Sequence, residues 1–384
     1  MLVLLASLTF VDIDLYEVLL KEASQSQSTN KDATEANAAV LMGPARLINH
    51  SPNHPKLSAM DIENIQNSCF VAISNIPLSL SPPSLRETLN RNQLDQGCLK
   101  GLEDFPNILR MLCELMDDDV EFITFPQAVW TFQTQAITWS RLEKRVFSAI
   151  AIILTDFWVL FQRRDFNRTH ERTFWAEYVT PVFKHFCINA NSREKRLIFS
   201  WCESMMMSHK KSQVIPGVWN NTTEKLFSDG VGRKDGFEVI IMESSGPYST
   251  ENIDHSVEDT SKLITLTTDS LRNEILQYQD ASIETAKLLS AFGIQCICDK
   301  ITLIKTSLFG PTRWQVVELR SAIIPVTWDS RMNLMSVFEL LAVLQNEYDL
   351  QKDVLKKLRK KNNFLDPVPY KDKIRNNFEN ANVL

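Results

Sequence analysis

The spacing of apolar residues divides the chain into two parts with different predicted secondary structure. In the first part apolar side chains recur at intervals of three and four, which is the spacing of one face of an α-helix. Helices are predicted over residues 104–116, 127–162 and 169–186, with Pro181 kinking the last of them. We expect the tryptophans of these segments to be core residues rather than a stacking surface for nucleic-acid bases.

After residue 196 the pattern changes to short apolar runs and alternating residues, which indicate β-strands. The predicted elements are a strand, a hairpin, a helix, a continuing helix, two strands and a long terminal helix, over residues 196–202, 228–245, 253–277, 287–292, 294–308, 314–324 and 332–358. Helices and strands that alternate in one segment favour a sheet covered by helices. The predicted fold class is α/β (α+β), a central mixed sheet flanked by helices and preceded by a helical region.

The hairpin in residues 228–245 carries the strongest local signal. Its turn contains the pair Asp235-Gly236 between β-forming residues. Residues 237–242 are apolar on both faces of the strand apart from Glu238, which predicts a central strand covered on both sides.

Two carboxylates are expected to meet at the end of this hairpin. Asp229 opens one strand, and Glu243 ends the apolar run of the other. Side chains on facing strands lie about 5 Å apart, close enough to share one hard cation such as Mg²⁺. Such a pair is the minimal metal site for phosphodiester chemistry. The alternative is structural, with Asp229 a turn residue and Glu243 solvated at the tip of its strand.

Changes of composition along the chain predict a division into five segments. Residues 24–59 are rich in Ser, Asn, Gln, Thr and Ala, a composition typical of a disordered linker. The predicted segments are an N-terminal stretch whose place in the folded protein stays open, this linker, a helical region, the α/β domain, and a basic helix end with a flexible tail, at residues 1–23, 24–59, 60–170, 171–350 and 351–384.

Net charge limits the contact expected with nucleic acid. The chain of 384 residues carries a formal net charge of −6, so a polyanion is expected to bind only through a local patch. Residues 356–361 form a dense basic run. This run predicts a nuclear localisation signal or a phosphate-contacting patch, or else a solvated helix end that the helix dipole favours.

Cysteine usage and hydropathy predict the compartment. The seven cysteines are odd in number and show no C-x-x-C spacing, which favours a reducing intracellular compartment, nuclear or cytoplasmic. Residues 1–10 are apolar, but no basic residue precedes them and Asp12 and Asp14 follow, the opposite of a signal peptide. Residues 149–161 are too few to cross a bilayer. We expect no membrane partner, while protein partners stay open.

The order of elements around the two acids resembles that of the restriction-endonuclease-like nuclease superfamily. Its signature is P-D, a gap, and then [D/E]-x-K. Here Ser228 and Asp229 take the place of P-D, and Glu243 takes the place of the second acid. The resemblance implies a Mg²⁺-dependent phosphodiesterase site on a mixed sheet.

The chain also resembles an uncharacterised group of proteins from early-diverging fungi. The resemblance covers residues 171–344 and is carried by short stretches at residues 171–175, 199–203, 229–232, 242–247 and 258–263. It implies relatedness and no particular reaction.

One position departs from the superfamily motif. The motif lysine would stand at Ser245, and serine carries no charge. A relocated lysine, Lys262 on the following helix, is the candidate substitute if that helix packs across the hairpin. Glu177 is the candidate for a third metal oxygen and His255 for a phosphate contact. The structural alternatives are a solvated lysine, a surface glutamate and a local turn contact for the histidine.

Two functional hypotheses follow. In the first, the protein is a metal-dependent nuclease, active or degenerate, in which Asp229, Glu243 and Glu177 hold Mg²⁺ and Lys262 orients water or phosphate. In the second, it is a catalytically inactive binding or scaffold protein that retains the nuclease-like fold. The missing motif lysine favours the second hypothesis, and the intact acid pair favours the first.

Overall fold

The computed structural model describes residues 53, 55, 57, 70–73, 99–163, 170–190, 197–212, 225–246, 248–310 and 313–378. Three of these residues fall in the predicted disordered linker, and they are packed. Pro55 and Leu57 are buried, and the backbone amide of Asn53 donates to a carboxylate oxygen of Glu251 at 3.2 Å. These contacts contradict the linker prediction at residues 53, 55 and 57, and the rest of residues 24–59 lies outside the described residues. The prediction for residues 1–23 falls outside the described residues.

Seven β-strands form one mixed sheet in the described residues. They are β1 (Phe70–Ile73), β2 (Ile198–Met205), β3 (Phe227–Lys234), β4 (Phe237–Ser245), β5 (Ser290–Ile297), β6 (Lys300–Gly310) and β7 (Arg313–Ile323). Their order across the sheet is β1-β7-β6-β5-β4-β3-β2. Neighbouring strands pair antiparallel, except that β4 pairs parallel with β5 and β1 pairs parallel with β7.

Helices flank this sheet. They are α1 (Pro106–Leu115), α2 (Phe125–Gln135), α3 (Arg141–Phe161), α4 (Glu171–Phe174), α5 (Thr180–Asn189), α6 (Met207–Ser212), α7 (Ile253–Ile275), α8 (Ile283–Ala286), α9 (Leu334–Asn362) and α10 (Ile374–Phe378). A π-helical turn, Trp175–Val179, joins α4 to α5 just before Pro181, where the sequence predicted a kink. Helix α7 lies in the crossover that the parallel pair of β4 and β5 requires.

The central strands are covered on both faces. Ile241 of β4 packs with Leu263 and Leu266 of α7, whereas its neighbours Ile240 and Met242 join a larger cluster that includes side chains of α1, α3, α5 and α9. Every residue of β4 and β5 is buried. Strands that are covered on both faces have nearly continuous apolar sequences, which explains why β4 can be predicted from the sequence.

The coarse fold prediction is confirmed: the chain has an α/β fold in which helices flank one mixed β-sheet. The predicted hairpin is β3 and β4, and its turn residues Asp235 and Gly236 both have positive φ, 51° and 87°, as tight two-residue hairpin turns require. The predicted helix over residues 253–277 is α7. Four apolar side chains of this helix are buried: Val257, Leu263, Leu266 and Leu271.

Two predictions after α7 are wrong. The helix expected at residues 287–292 and the single strand expected at residues 294–308 are instead the antiparallel strands β5 and β6. The chain reverses between them at Cys298, whose φ is 54°. Cysteine is not a turn-forming residue, and Asp299 beside it is the one turn-favouring residue at this reversal, which has no glycine or proline.

The predicted segment boundaries also need correction. The region expected to be helical, residues 60–170, contains β1, which pairs with β7 at the edge of the sheet. The expected flexible tail contains α10, where Ile374 and Phe378 are buried. Among the tryptophans, Trp139 is a core residue as expected, whereas Trp130 is 39% exposed. The helical region and the sheet share one buried cluster, so no break in packing separates them.

Gly293 on β5 provides a test of how tightly Ile304 of β6 and Leu263 of α7 pack around this strand. A Cβ atom at this position would stand 2.6 Å from Ile304 Cγ1 and 3.2 Å from Leu263 Cδ2. Gly293→Ala should therefore lower the free energy of unfolding by about 1–3 kcal/mol through overpacking. Urea denaturation measures the loss. Combined with Ile304→Ala the loss should be smaller than the sum of the two single losses, and strict additivity would contradict the predicted clash.

Candidate functional site

Strand pairing in the hairpin brings Asp229 and Glu243 together. Gly230 of β3 pairs with Met242 of β4, and the same register places Asp229 opposite Glu243. The Oδ2 atom of Asp229 accepts a hydrogen bond from the backbone amide of Ser244 at 2.8 Å. The two predicted acids therefore lie side by side at one end of the hairpin.

Ser228 holds the two strands together next to Asp229. Its hydroxyl donates to the carbonyl oxygen of Met242 at 2.7 Å and accepts from the amide of the same residue at 3.3 Å. The side chain is fully buried. The backbone of β4 is thereby fixed against β3 at the residue that precedes Glu243.

Glu243 is 1% exposed although it carries a carboxylate. Its Oε2 atom accepts a hydrogen bond from Nζ of Lys262 at 2.8 Å. Its Oε1 atom is buried and has no hydrogen-bond partner among the described residues. An unpartnered buried carboxylate oxygen is costly, and in native proteins it requires an explanation such as an ion site.

A buried amide fixes the position of α7, the helix that carries Lys262. The side chain of Gln295 on β5 accepts from Thr260 Oγ1 at 2.8 Å and donates to the carbonyl oxygen of Ser256 at 3.2 Å. It also donates to Ser245 Oγ of β4 at 3.3 Å. One side chain thus ties α7 to two strands, which holds Lys262 over the end of β4.

Two further acids border the pair, and the sequence analysis did not select them. Asp259 lies on α7 three residues before Lys262, and interaction with the Ser245 side chain acts to lower the pKa of its carboxyl against the effect of burial. Glu171 begins α4, and its charge interacts with that of Asp229. Asp259 was detectable, because residues three apart on a helix share a face. No comparable signal marks Glu171.

Burial controls the protonation of these groups. It raises the pKa of Glu171, Asp229 and Asp259 above their ordinary values. The pKa of Glu243 stands well above its usual range, because its desolvation outweighs the attraction of Lys262. Burial acts to lower the pKa of Lys262, but the surrounding carboxylates outweigh it and the net direction is upward. The single positive charge of Lys262 cannot neutralise four carboxylates. The site therefore favours uptake of a proton or a cation.

Glu177, the predicted third metal ligand, is engaged by Arg163. Its Oε2 atom lies 2.5 Å from Nη1 of the arginine. Glu177 lies in the π-helical turn, whereas Glu171 begins α4 and interacts electrostatically with Asp229 and Asp259. The geometry favours Glu171 as the acid that this helix contributes to the site.

His255 lies in the first turn of α7, beside Asp259. Its Nδ1 atom is 3.5 Å from Oδ2 of Asp259, and its backbone amide donates to Oδ1 of Asn252 at 3.3 Å. Burial raises the pKa of Glu171 and of Asp259, and interaction with the histidine opposes part of that increase. It combines the predicted local contact with a place at the border of the acidic site.

The edge strand β2 bulges beside Asp229. Cys202 and Glu203 together stand opposite this one residue of β3, and both have positive φ, 67° and 54°. The carboxylate of Glu203 pairs with Nη2 of Arg172 at 2.6 Å. Bulges and left-handed backbone at non-glycine residues recur next to functional sites.

The donor atoms at the hairpin end fit Mg²⁺. Asp229 and Glu243 offer the carboxylate oxygens that this ion prefers, and Oε1 of Glu243 has no competing donor in the described part of the chain. No group of three or more His, Cys, Asp or Glu side chains converges on a metal position within the described residues. Mg²⁺ often uses one or two carboxylates and completes its shell with water and substrate phosphates.

No family model, curated protein or solved structure matches this chain. In the part of the chain that the structure describes, no helix combines the length and the apolar character that a membrane span needs. The functional argument therefore depends on the geometry and the chemistry of the side chains themselves.

Replacing Lys262 with Met should destabilise the protein by about 1–3 kcal/mol near pH 8, because Glu243 then stays buried without its donor. The substitution also raises the pKa of Glu243 further. A carboxyl with a raised folded-state pKa contributes stability that is present below its ordinary pKa and lost as the pH rises. The difference from wild type should therefore shrink as the pH falls toward about 4.5. Urea unfolding across this pH range measures it.

Lys305→Met is the matched control for this experiment. Lys305 is as exposed as Lys262, 28% against 29%, and it pairs with Glu347 at 2.6 Å away from the acidic site. A loss of stability in the control that grows with pH as steeply as in Lys262→Met would contradict the assignment of the effect to Glu243.

Proposed function

We propose that this chain is a metal-dependent, nuclease-like protein that acts on or binds phosphodiesters at Asp229, Glu243 and Lys262. The contact that carries the proposal is the 2.8 Å separation of Lys262 Nζ and Glu243 Oε2, next to Asp229. It supplies from α7 the cation that the nuclease motif places two residues after its second acid, where this chain has Ser245.

The topology of the core supports a restriction-endonuclease-like assignment. The helical segment α4–α5 precedes three antiparallel strands, β2, β3 and β4, and α7 then leads to β5, which is parallel to β4. Apart from the short helices α6, between β2 and β3, and α8, between α7 and β5, this is the helix–strand–strand–strand–helix–strand order expected of the superfamily. Asp229 near the start of the second of these strands and Glu243 near the end of the third take the positions of the two motif acids.

The proposed roles follow from burial and charge. Asp229 and Glu243 would supply carboxylate oxygens to Mg²⁺, foremost Oε1 of Glu243, which has no hydrogen-bond partner among the described residues. A divalent cation bound there would lower the pKa of a coordinated water and neutralise charge on a phosphate. The ammonium of Lys262 orients water or a phosphate oxygen and stabilises negative charge that grows on the phosphate.

The excess of acids makes nucleic-acid binding conditional on the cation. When no cation is bound, the ionised carboxylates of Glu171, Asp229, Glu243 and Asp259 repel a polyanion. The net charge of −6 adds to this repulsion. We infer that DNA or RNA approaches this site only after the acids are neutralised.

Mn²⁺, used as a probe for the Mg²⁺ site, should bind more tightly as the pH rises. The raised pKa values of Asp229 and Glu243 mean that protons occupy these carboxyls where ordinary carboxyls are ionised, and a cation has to displace them. Affinity should therefore increase until both groups are ionised. Titration calorimetry in two buffers of different ionisation enthalpy measures both the affinity and the protons released.

The same titration locates the site. Asp229→Asn and Glu243→Gln should each weaken Mn²⁺ binding by about tenfold or more. Glu347→Gln is the matched control, since Glu347 is another buried acid with a lysine partner, Lys305. Equal losses in the control, or an affinity that does not change with pH, would contradict the proposed site.

Hydrolysis tests the catalytic part of the proposal. With Mg²⁺ or Mn²⁺, the wild-type protein should cleave at least one of single- or double-stranded DNA or RNA. Lys262→Met should slow cleavage by about a hundredfold or more, because it removes charge stabilisation of the reacting phosphate. Lys262→Arg keeps the charge and should retain more activity than Lys262→Met.

The inactive scaffold is the competing interpretation. It predicts that no polynucleotide is cleaved and that Mn²⁺ does not bind at Asp229 and Glu243. That result would overturn the nuclease proposal and leave a binding protein that keeps the fold without the chemistry. Cleavage that persists undiminished in Asp229→Asn and Glu243→Gln would also overturn it.

A further inference from the structure

A second candidate site lies at the other end of the hairpin. A cavity of about 660 Å³ opens between the β3–β4 turn and the C-terminal half of α9. This volume is within the range of small-molecule sites. The four acids of the first site, Glu171, Asp229, Glu243 and Asp259, do not line this cavity. All of its lining residues are in the described part of the chain.

The floor of the cavity is apolar and rigid. Phe237 and Val239 of β4 and Tyr348 of α9 line it, and all three are buried members of the main core. Leu355, which is also on α9, adds a partly buried aliphatic side chain. Such a surface favours the aromatic or aliphatic body of a ligand.

The rim is strongly cationic in an acidic protein. Five basic side chains line the cavity against two acidic ones, namely Lys234, Lys352, Lys356, Arg359 and Lys360 against Asp235 and Asp353. Asp235 is shared by Lys234 at 3.2 Å and by Arg359 at 3.9 Å. Lys356 and Lys360, one helical turn apart, have no ion-pair or hydrogen-bond partner among the described residues, so they are available to an anion.

The basic side chains of residues 356–361 do not all face the cavity. Lys356, Arg359 and Lys360 line the cavity, whereas Lys357 does not. Lys361 points elsewhere and donates to Thr285 Oγ1 at 2.8 Å. The helix dipole accounts for cations near a helix C-terminus, but it does not account for three of them around an apolar cavity.

We propose that this cavity binds an organic phosphate with an apolar body, such as a nucleotide. The phosphate groups lie against Lys356 and Lys360, and the base or other apolar body lies on Phe237 and Tyr348. Charge-assisted hydrogen bonds from ammonium groups favour phosphate. This inference does not depend on the proposed nuclease site.

Fluorescence titration with mant-ATP tests the proposal. The experiment is carried out in EDTA, so that the metal site does not contribute. Wild-type protein should bind the probe saturably, and the double variant Lys356→Gln/Lys360→Gln should bind about tenfold more weakly or worse. Lys357→Gln is the control, because it removes one positive charge from the same run but outside the cavity, and it should bind like wild type. The single variants Lys356→Gln and Lys360→Gln, each with the same loss of charge, should bind more weakly than this control.

Competition separates recognition of phosphate from recognition of the body. AMP and ATP should displace mant-ATP better than adenosine, and ATP should displace it better than inorganic tripolyphosphate. Equal competition by adenosine would overturn the role of the lysines, and equal competition by tripolyphosphate would overturn the role of the apolar floor. No saturable binding, or equal losses in Lys357→Gln, would overturn the site.

Discussion

The carboxylate of Glu243 is held in the protein interior by β4, a strand buried along its whole length. Removing a carboxylate from water is costly, and the Lys262 ammonium offsets only part of that cost. The electrostatics of the site therefore depend on where α7 lies relative to the sheet. The hydrogen bonds of Gln295 to Thr260 and Ser256 fix that position. A shift of α7 would leave a buried charge without its partner.

The same packing bears on the proposed nuclease motif, whose lysine would stand at position 245. Ser245 is fully buried, where its hydroxyl accepts from Gln295. A lysine at this position would bury its ammonium and disrupt the link between β4, β5 and α7. In this chain the position serves as an anchor, and Lys262 carries the charge from the helix that the anchor holds. Under the proposed nuclease assignment, the helix supplies the cation and the strand supplies its support.

Those parts of the fold that follow from local pattern were predictable from sequence. The hairpin was recognised from its Asp235-Gly236 turn, and α7 from its apolar face, because both signals are short-range. The β5–β6 reversal was missed, since its turn at Cys298 has no glycine or proline. For the site, the pairing of Asp229 with Glu243 followed from hairpin register. The contribution of Glu171 did not, because it depends on how a distant helix packs, and no spacing in the sequence encodes that.

The two candidate sites lie at opposite ends of one strand and differ in sign. Phe237 at the cationic cavity and Glu243 at the acidic site are six residues apart, or about 20 Å along β4. That separation exceeds the Debye length of about 8 Å at physiological salt. A charged ligand at one end therefore has little direct electrostatic effect at the other. Any coupling between the sites would have to be mechanical, through β4 and the helices α7 and α9 that pack on either side of the sheet.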